Sequence, residues 1–209
     1  MNIHTFYRAF ARWFRTKRMR DFVHHYGITP QTRILDVGGT LFNWSLIPER
    51  PRITIVNVTP PPDSLPDNVE WIVGDGCTLP FPAHSFDVCY SNSVIEHLYT
   101  WEAQRQFAEE VKRVADAFYV QTPNRRFPIE PHYLAPFIHW FPKRIQRKLV
   151  RRCTLWGLMS SPSPERCHEV VDEIRLLTKP EMRELFPNAQ IWKESFLGLT
   201  KSLIAVHRA

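Results

Sequence analysis

Arg33-Ile-Leu-Asp-Val-Gly-Gly39 is the stretch on which the fold turns: a short apolar run that breaks into a glycine turn. A run this short, bounded by turn residues, suits a buried strand, and the glycines let the backbone approach a ligand closely. Similar runs follow along the chain. Ile53-Thr-Ile-Val-Asn-Val58 stops at Pro60-Pro61-Pro62, and Val69-Glu-Trp-Ile-Val73 ends at Gly74-Asp75-Gly76. Ser85-Phe-Asp-Val-Cys-Tyr90 makes a fourth strand, and 114–120 contains a fifth. Helical periodicity over 100–113 puts Trp101, Phe107, Val111 and Val114 on one face. The segment between the first two strands is short, so its helix is expected to be stunted. Lys179–Phe186 reads as helix, and 189–197 with 201–207 as a closing antiparallel pair around Gly198. Strands alternating with helices predict an α/β fold, a mostly parallel sheet covered on both faces. No internal repeat and no interdomain linker interrupts the pattern.

The composition agrees with a packed domain. Of 209 residues, 44% are hydrophobic and 13% aromatic, which excludes a disordered chain and suits a single domain. No stretch approaches the roughly 20 apolar residues of a membrane span. Arg8, Arg12, Arg15, Lys17, Arg18 and Arg20 break every apolar run near the start, so no signal peptide is expected. The cysteines Cys77, Cys89, Cys153 and Cys167 form no close pair, which favours reduced thiols and a cytoplasmic setting. Charge is concentrated in two places. Residues 1–26 carry a net +5 and residues 143–152 a net +6, against +6 for the whole chain. Such segments suit phosphates, an anionic substrate or an anionic membrane surface; taken singly, each reads more plainly as a solvated face. In residues 4–26, Phe6, Phe10, Trp13, Phe14, Phe22, Val23 and Tyr26 recur at helical steps, predicting a helix with aromatics on one face and arginines on the other.

In an open parallel sheet, ligands bind beyond the carboxyl ends of the strands. The unusual polar residues fall there: Asp36, Gly38 and Gly39 after the first strand, Asn57 at the end of the second, Asp75 after the third, Asn92 to His97 after the fourth, and Thr122 to Asn124 after the fifth. Asn57 follows Gly38 at about the 20-residue offset from which a polar side chain reaches ribose hydroxyls.

Leu35-Asp-Val-Gly-Gly39, Val73-Gly-Asp-Gly-Cys-Thr-Leu-Pro-Phe81 and Ser85 through Ile95-Glu-His-Leu98 together resemble a class I S-adenosylmethionine-dependent methyltransferase, most closely the quinone-methyltransferase-like subgroup. The resemblance is good over residues 30–125 and weaker from Leu177 onward. It implies a three-layer α/β sandwich on a mostly parallel seven-stranded sheet, with S-adenosylmethionine as cofactor and S-adenosylhomocysteine as product. A single domain over 1–209 would carry an N-terminal helix (1–29) and an acceptor-binding, lid-like insertion (123–177). By the same resemblance, Asp36, Val37, Gly38 and Gly39 face the methionine part of the cofactor. Asn57, with Val58, stands where the family has an acid on the ribose. Asp75, Gly76 and Cys77 take the adenine, and Asn92 and Ser93 lie near the transferred methyl. Two positions depart from the family: Thr40 replaces a glycine, and Asn57 is neutral, which gives up a charge-assisted hydrogen bond. The plainer readings are a loop-capping Asp36 and a turn-forming Asp75.

Methyl transfer from a sulfonium asks an enzyme to align the nucleophile and remove its proton. His97 is the first candidate base, with Glu96 to orient it or bind substrate; a packing or capping role for His97 weighs equally. Glu130 and His132, two apart beside Pro131, form a second acid/base pair. Tyr133, Phe137, His139, Trp140 and Phe141 add an aromatic wall, though Phe137 and Phe141 read better as core for a lid helix. Carboxylate, imidazole and aromatic faces suit a sugar or other hydroxylated ring. The expectation is therefore an O-methyltransferase acting on a saccharide or glycan precursor, ahead of a quinone, phenol or lipid-associated acceptor. Glu96, His97, Glu130 and His132 could ligate a divalent metal, but Ser93 occupies the position of a further family acid, so no metal is assigned. A nucleic-acid methyltransferase lacks its motifs here, and a non-catalytic cofactor-binding protein remains as the third class. A homodimer and peripheral contact with an anionic membrane complete the expected partners.

Overall fold

The computed structural model describes residues 3–208, with side chains from residue 12 onward. In chain order the elements are α1 (Ile3–Tyr26), β1 (Arg33–Val37), α2 (Leu41–Trp44), β2 (Arg52–Asn57), β3 (Val69–Val73), β4 (Phe86–Asn92), α3 (Trp101–Val114) and β5 (Ala115–Pro123). A two-stranded ribbon, β6 (Ile129–Glu130) and β7 (Ala135–Pro136), precedes α4 (Lys143–Cys153), α5 (Leu155–Ser160) and α6 (Pro164–Glu173). The chain closes with α7 (Lys179–Leu185), β8 (Gln190–Phe196) and β9 (Leu199–His207). The seven-stranded sheet has the order β3-β2-β1-β4-β5-β9-β8. β1 pairs in parallel with both β2 and β4, so the strand order reverses at β1, the place where open α/β sheets leave a crevice. β8 and β9 are antiparallel, with a register shift at Glu194/Ser195. As the short spacer required, α2 is a single turn.

By contacts the chain forms two compact units. The first comprises residues 1–91, 111–119 and 208–209. Its strands are apolar runs, with Ile34, Leu35, Ile55, Val56 and Cys89 buried. An aromatic cluster joins them to α1: Phe22 meets Tyr90 at 4.9 Å and Tyr119 at 5.5 Å between ring centres, and Tyr90 stacks on Tyr119. The expected partition of α1 does not hold. Phe14 and Phe22 are buried, but so is Arg18 on the same stripe, while Trp13 is exposed. A long arginine stem can lie along apolar surface, which the periodicity of aromatics alone does not reveal. The side chains of Phe6, Arg8 and Phe10 lie outside the described residues.

The second unit comprises residues 92–110 and 120–207. The proline-rich stretch, expected as a lid-like insertion, folds as the β6–β7 ribbon and α4 to α6 around its own core. Tyr133, Ile138, Val150, Val171, Ile174 and Leu176 are buried in that core. Phe137 and Phe141 are not core residues, contrary to expectation: each stays about half exposed. Phe137 takes a left-handed backbone (φ 59°) where the ribbon leads into a turn at Ile138–Trp140, and its ring packs 5.0 Å from that of half-exposed Trp140 rather than in the core. Among the described residues no helix is long and apolar enough to cross a membrane.

Candidate active site

The loops of the first unit are held by the polar residues at the strand ends. Gly38 has φ +72°, a conformation that favours glycine, and its N–H donates to Val56 O at 2.7 Å. Gly39 is glycine for another reason: a Cβ there would come within 1.8 Å of the Asp36 carboxylate. Asp36 is fully buried at the end of β1, and its Oδ2 accepts from Trp44 Nε1 at 2.8 Å. Its Oδ1 is buried without a partner, and burial pushes the carboxyl up to about 7. The side chain of Val37 is buried too, so this residue has only its backbone to offer a ligand.

Asn57, expected at the ribose, is already hydrogen-bonded within the protein. Its Nδ2 donates to Gly39 O at 2.8 Å, while Oδ1 accepts from Thr59 N and Thr59 Oγ1. The amide oxygen is thus fully occupied, and one N–H remains for a ligand. Because Asn57 can donate where a carboxylate cannot, it ties the glycine turn to the tip of β2. Asp75 is exposed and closes an Asx turn, Oδ1 accepting from Cys77 N at 2.9 Å. Gly76 and Cys77 are half-buried beside it. Val58, 75% exposed after β2, offers a bare apolar surface.

In the second unit, Asn92 ends β4 half-buried, and Ser93 follows in the left-handed region (φ 58°). Two hydrogen bonds to Gln121 hold it there, N–H to the carbonyl at 3.0 Å and Oγ to Oε1 at 2.8 Å. A side chain in that region costs about 1–2 kcal/mol, strain of the kind found at functional sites. The turn at Ile95–His97 then places Glu96 inward and His97 outward. Glu96 does not orient His97, as expected of it. Its Oε2 accepts from Thr122 Oγ1 at 2.9 Å, and Oε1 is buried without a partner. Burial raises its carboxyl to about 7 against the field of His132 and the Thr122 hydrogen bond.

The oriented imidazole is His132. Its Nδ1 lies 2.6 Å from Oε1 of fully buried Glu130, whose Oε2 accepts from Tyr133 N. Desolvation alone would lower the His132 pKa, but the Glu130 hydrogen bond and charge, with Glu96, raise it above 6.5. The His97 and His132 rings meet edge to face, 4.9 Å apart between centres. Although His97 is exposed as a residue, ring desolvation and then the His132 charge lower its pKa, so it is neutral at physiological pH. Glu96, His97 and His132 each offer one ligand atom within 4.8 Å of the others. The structure therefore brings together all four residues expected to carry catalysis. Of the expected aromatic wall, Tyr133 and His139 are buried, and Trp140 is about half exposed.

The family described as a methyltransferase domain matches residues 45–117, from the end of α2 into β5. The matched stretch holds β2, β3, β4 and α3. Solved structures agree on the fold. A protein from Rhodobacter sphaeroides named as a Zn-dependent alcohol dehydrogenase superposes with TM-score 0.58 at 13% identity, over 90% of this chain and 88% of its own. The 1,6-didemethyltoxoflavin-N1-methyltransferase of Burkholderia thailandensis, with its acceptor and S-adenosylhomocysteine bound, gives 0.57 at 14%, over 99% and 85%. Magnesium protoporphyrin IX methyltransferase from Synechocystis gives 0.52 at 12%, over 93% and 82%. No protein of curated function matches the sequence.

Three supporting residues of the site were not expected from the sequence. Trp44 and Thr122 reach the two buried carboxylates from separate elements, with no local signal in the sequence. Gln104 had one: a polar residue on the apolar stripe of α3. Its Nε2 donates to Ile95 O and Arg175 O, bracing the turn that carries Glu96 and His97.

Proposed function

We propose that the enzyme transfers a methyl group from S-adenosylmethionine to a hydroxyl of a small acceptor, with His132 as general base. The Glu130–His132 hydrogen bond carries this reading. It holds Nδ1 as the donor, which leaves Nε2 to accept the hydroxyl proton as the new O–C bond forms and the C–S bond breaks. S-adenosylhomocysteine leaves. Asp36, Val37, Gly38 and Gly39 would hold the methionine end. Asn57 and Val58 would meet the ribose, Asp75, Gly76 and Cys77 the adenine, and Asn92 and Ser93 the methyl side. The left-handed Gly38, the remaining Asn57 N–H and the bare Val58 fit such a nucleotide. Carboxylates, imidazoles and a partly exposed Trp140 favour a hydroxylated ring, a saccharide or glycan precursor ahead of a quinone or phenol. The separated cysteines favour work in the cytoplasm.

His132→Ala should cut turnover by about 10²–10⁴ while calorimetry finds S-adenosylhomocysteine binding unchanged. Since His132 must be neutral to act, activity should rise with pH through its raised pKa. Glu130→Gln removes the group that raises it, so the rise should move to lower pH with a smaller maximum. A pH profile that ignores Glu130→Gln would end the assignment.

The compact Glu96, His97 and His132 set favours a second reading, a divalent cation that binds the acceptor oxygen. In that arrangement Glu130 would steady a ligand imidazole. Chelation separates the two: turnover that survives exhaustive chelation belongs to the base, and turnover lost and then restored by added cation belongs to the metal.

A further inference from the structure

Helix α4 carries more positive charge than its own packing uses. Arg147 pairs with Asp172 at 2.8 Å, and Lys143 Nζ donates to the Val171 and Ile174 carbonyls. The other four cations, Arg144, Lys148, Arg151 and Arg152, are exposed, and among the described residues none makes an ion pair or side-chain hydrogen bond. Arg151 acts on Glu165 through its field alone. At about 100° per residue these four share one arc of the helix with Ile145. Cations three and four apart on a helix repel one another, so the arrangement costs stability by itself.

Ile145 on this arc, and two aromatics just before the helix, are exposed apolar surface. Trp140 is 51% exposed, Phe141 46% and Ile145 41%. Trp140 Nε1 donates to Arg125 O, so its polar atom is satisfied while its ring lies open. An apolar tip leading into a row of unpaired cations is the chemistry of a surface that lies on lipid: cations at anionic headgroups, aromatic and aliphatic groups at the acyl boundary. We propose that this face of α4, with the turn before it, docks the protein on an anionic membrane surface. A nucleic acid would use the cations and stack on Trp140, but it offers nothing to Ile145 amid the charges.

Co-sedimentation of the full chain with vesicles tests this, comparing pure phosphatidylcholine with a phosphatidylcholine–phosphatidylserine mixture. The protein should pellet with the mixed vesicles only, and less as salt is raised. In the variant R144Q/K148Q/R151Q/R152Q, each lost charge should weaken binding about fivefold. Ile145→Asn, a single surface change, should weaken binding and leave the salt dependence as it was, which keeps the test decisive if the multiple variant does not fold. Equal pelleting with both vesicles, pelleting with neither, or binding to a DNA duplex without vesicle binding would overturn the proposal.

Discussion

Asp36 and Glu96 are built alike and used differently. Each is fully buried, each has one oxygen bonded to a neutral donor and one without a partner, and each has its carboxyl raised to about 7. Asp36 is enclosed by Trp44 and the missing side chain of Gly39, so its bonds shape a turn. Glu96 offers a carboxylate oxygen within 4.8 Å of a ring nitrogen on each of two imidazoles, groups able to move protons or hold a cation. The local accounting of hydrogen bonds is nearly identical in both. The neighbours decide whether a costly carboxyl organises backbone or chemistry.

The largest effect that bears on this contrast should come from Gly39→Ala. Its Cβ would strike the Asp36 carboxylate, and overpacking of that kind costs about 1–3 kcal/mol. Thermal unfolding should shift down by several degrees, and calorimetry should find S-adenosylhomocysteine binding at least tenfold weaker. Wild-type values in both would mean that the turn adapts and Asp36 does not shape it.

Asn57 sharpens the comparison further. Asn57→Ala removes the hydrogen bond that ties the glycine turn to β2 and two that hold Thr59 beyond it, and binding of S-adenosylhomocysteine should fall about fivefold to tenfold, the worth of about 1 kcal/mol. Asn57→Asp loses the donor to Gly39 O and gains a ribose acceptor. It should bind more weakly than wild type if positioning the turn is the main task, and more tightly if the ribose contact is.

The smallest effect is in stability against pH. A carboxyl whose folded pKa is raised stabilises least where it must ionise: the native state keeps a proton that the unfolded chain releases, so stability falls as pH rises from ordinary carboxyl values to about 7. His132, raised as well, loses its share as pH climbs through its folded pKa, which has the same sign. His97 and His139, held below 6.5, act in the opposite sense only at lower pH. Between pH 6.5 and 7.5, Asp36 and Glu96 should each cost on the order of 1 kcal/mol, or about 2–4 °C in melting temperature. Differential scanning of Asp36→Asn and Glu96→Gln should each show a flatter fall. An unchanged slope in both would deny that these carboxyls titrate there.

How much could be read beforehand differs between the two regions for the same reason. Around Asp36 the governing features are strand runs, a glycine pair and polar residues at strand ends, all local in sequence, and the strands and the turn appeared where the pattern put them. Around Glu96 the partners come from Thr122, Glu130 and His132, and the bracing from Gln104 and Arg175. The spacing of Glu130 and His132 suggested a pair, but the sequence linked Glu96 to its neighbour His97, whereas a single helical turn points them apart, inward and outward. Likewise packing overrides the helical stripe at Arg18 and leaves Phe137 and Phe141 half exposed instead of in a core.

The sequence by itself determined the alternation of strands and helices and the polar strand ends, because burial imposes short-range periods that any stretch of chain must satisfy. Only the tertiary structure decided which carboxylate serves which imidazole and which cations stay unpaired. Those depend on side chains brought within a few ångströms from distant positions, and no local pattern records such meetings.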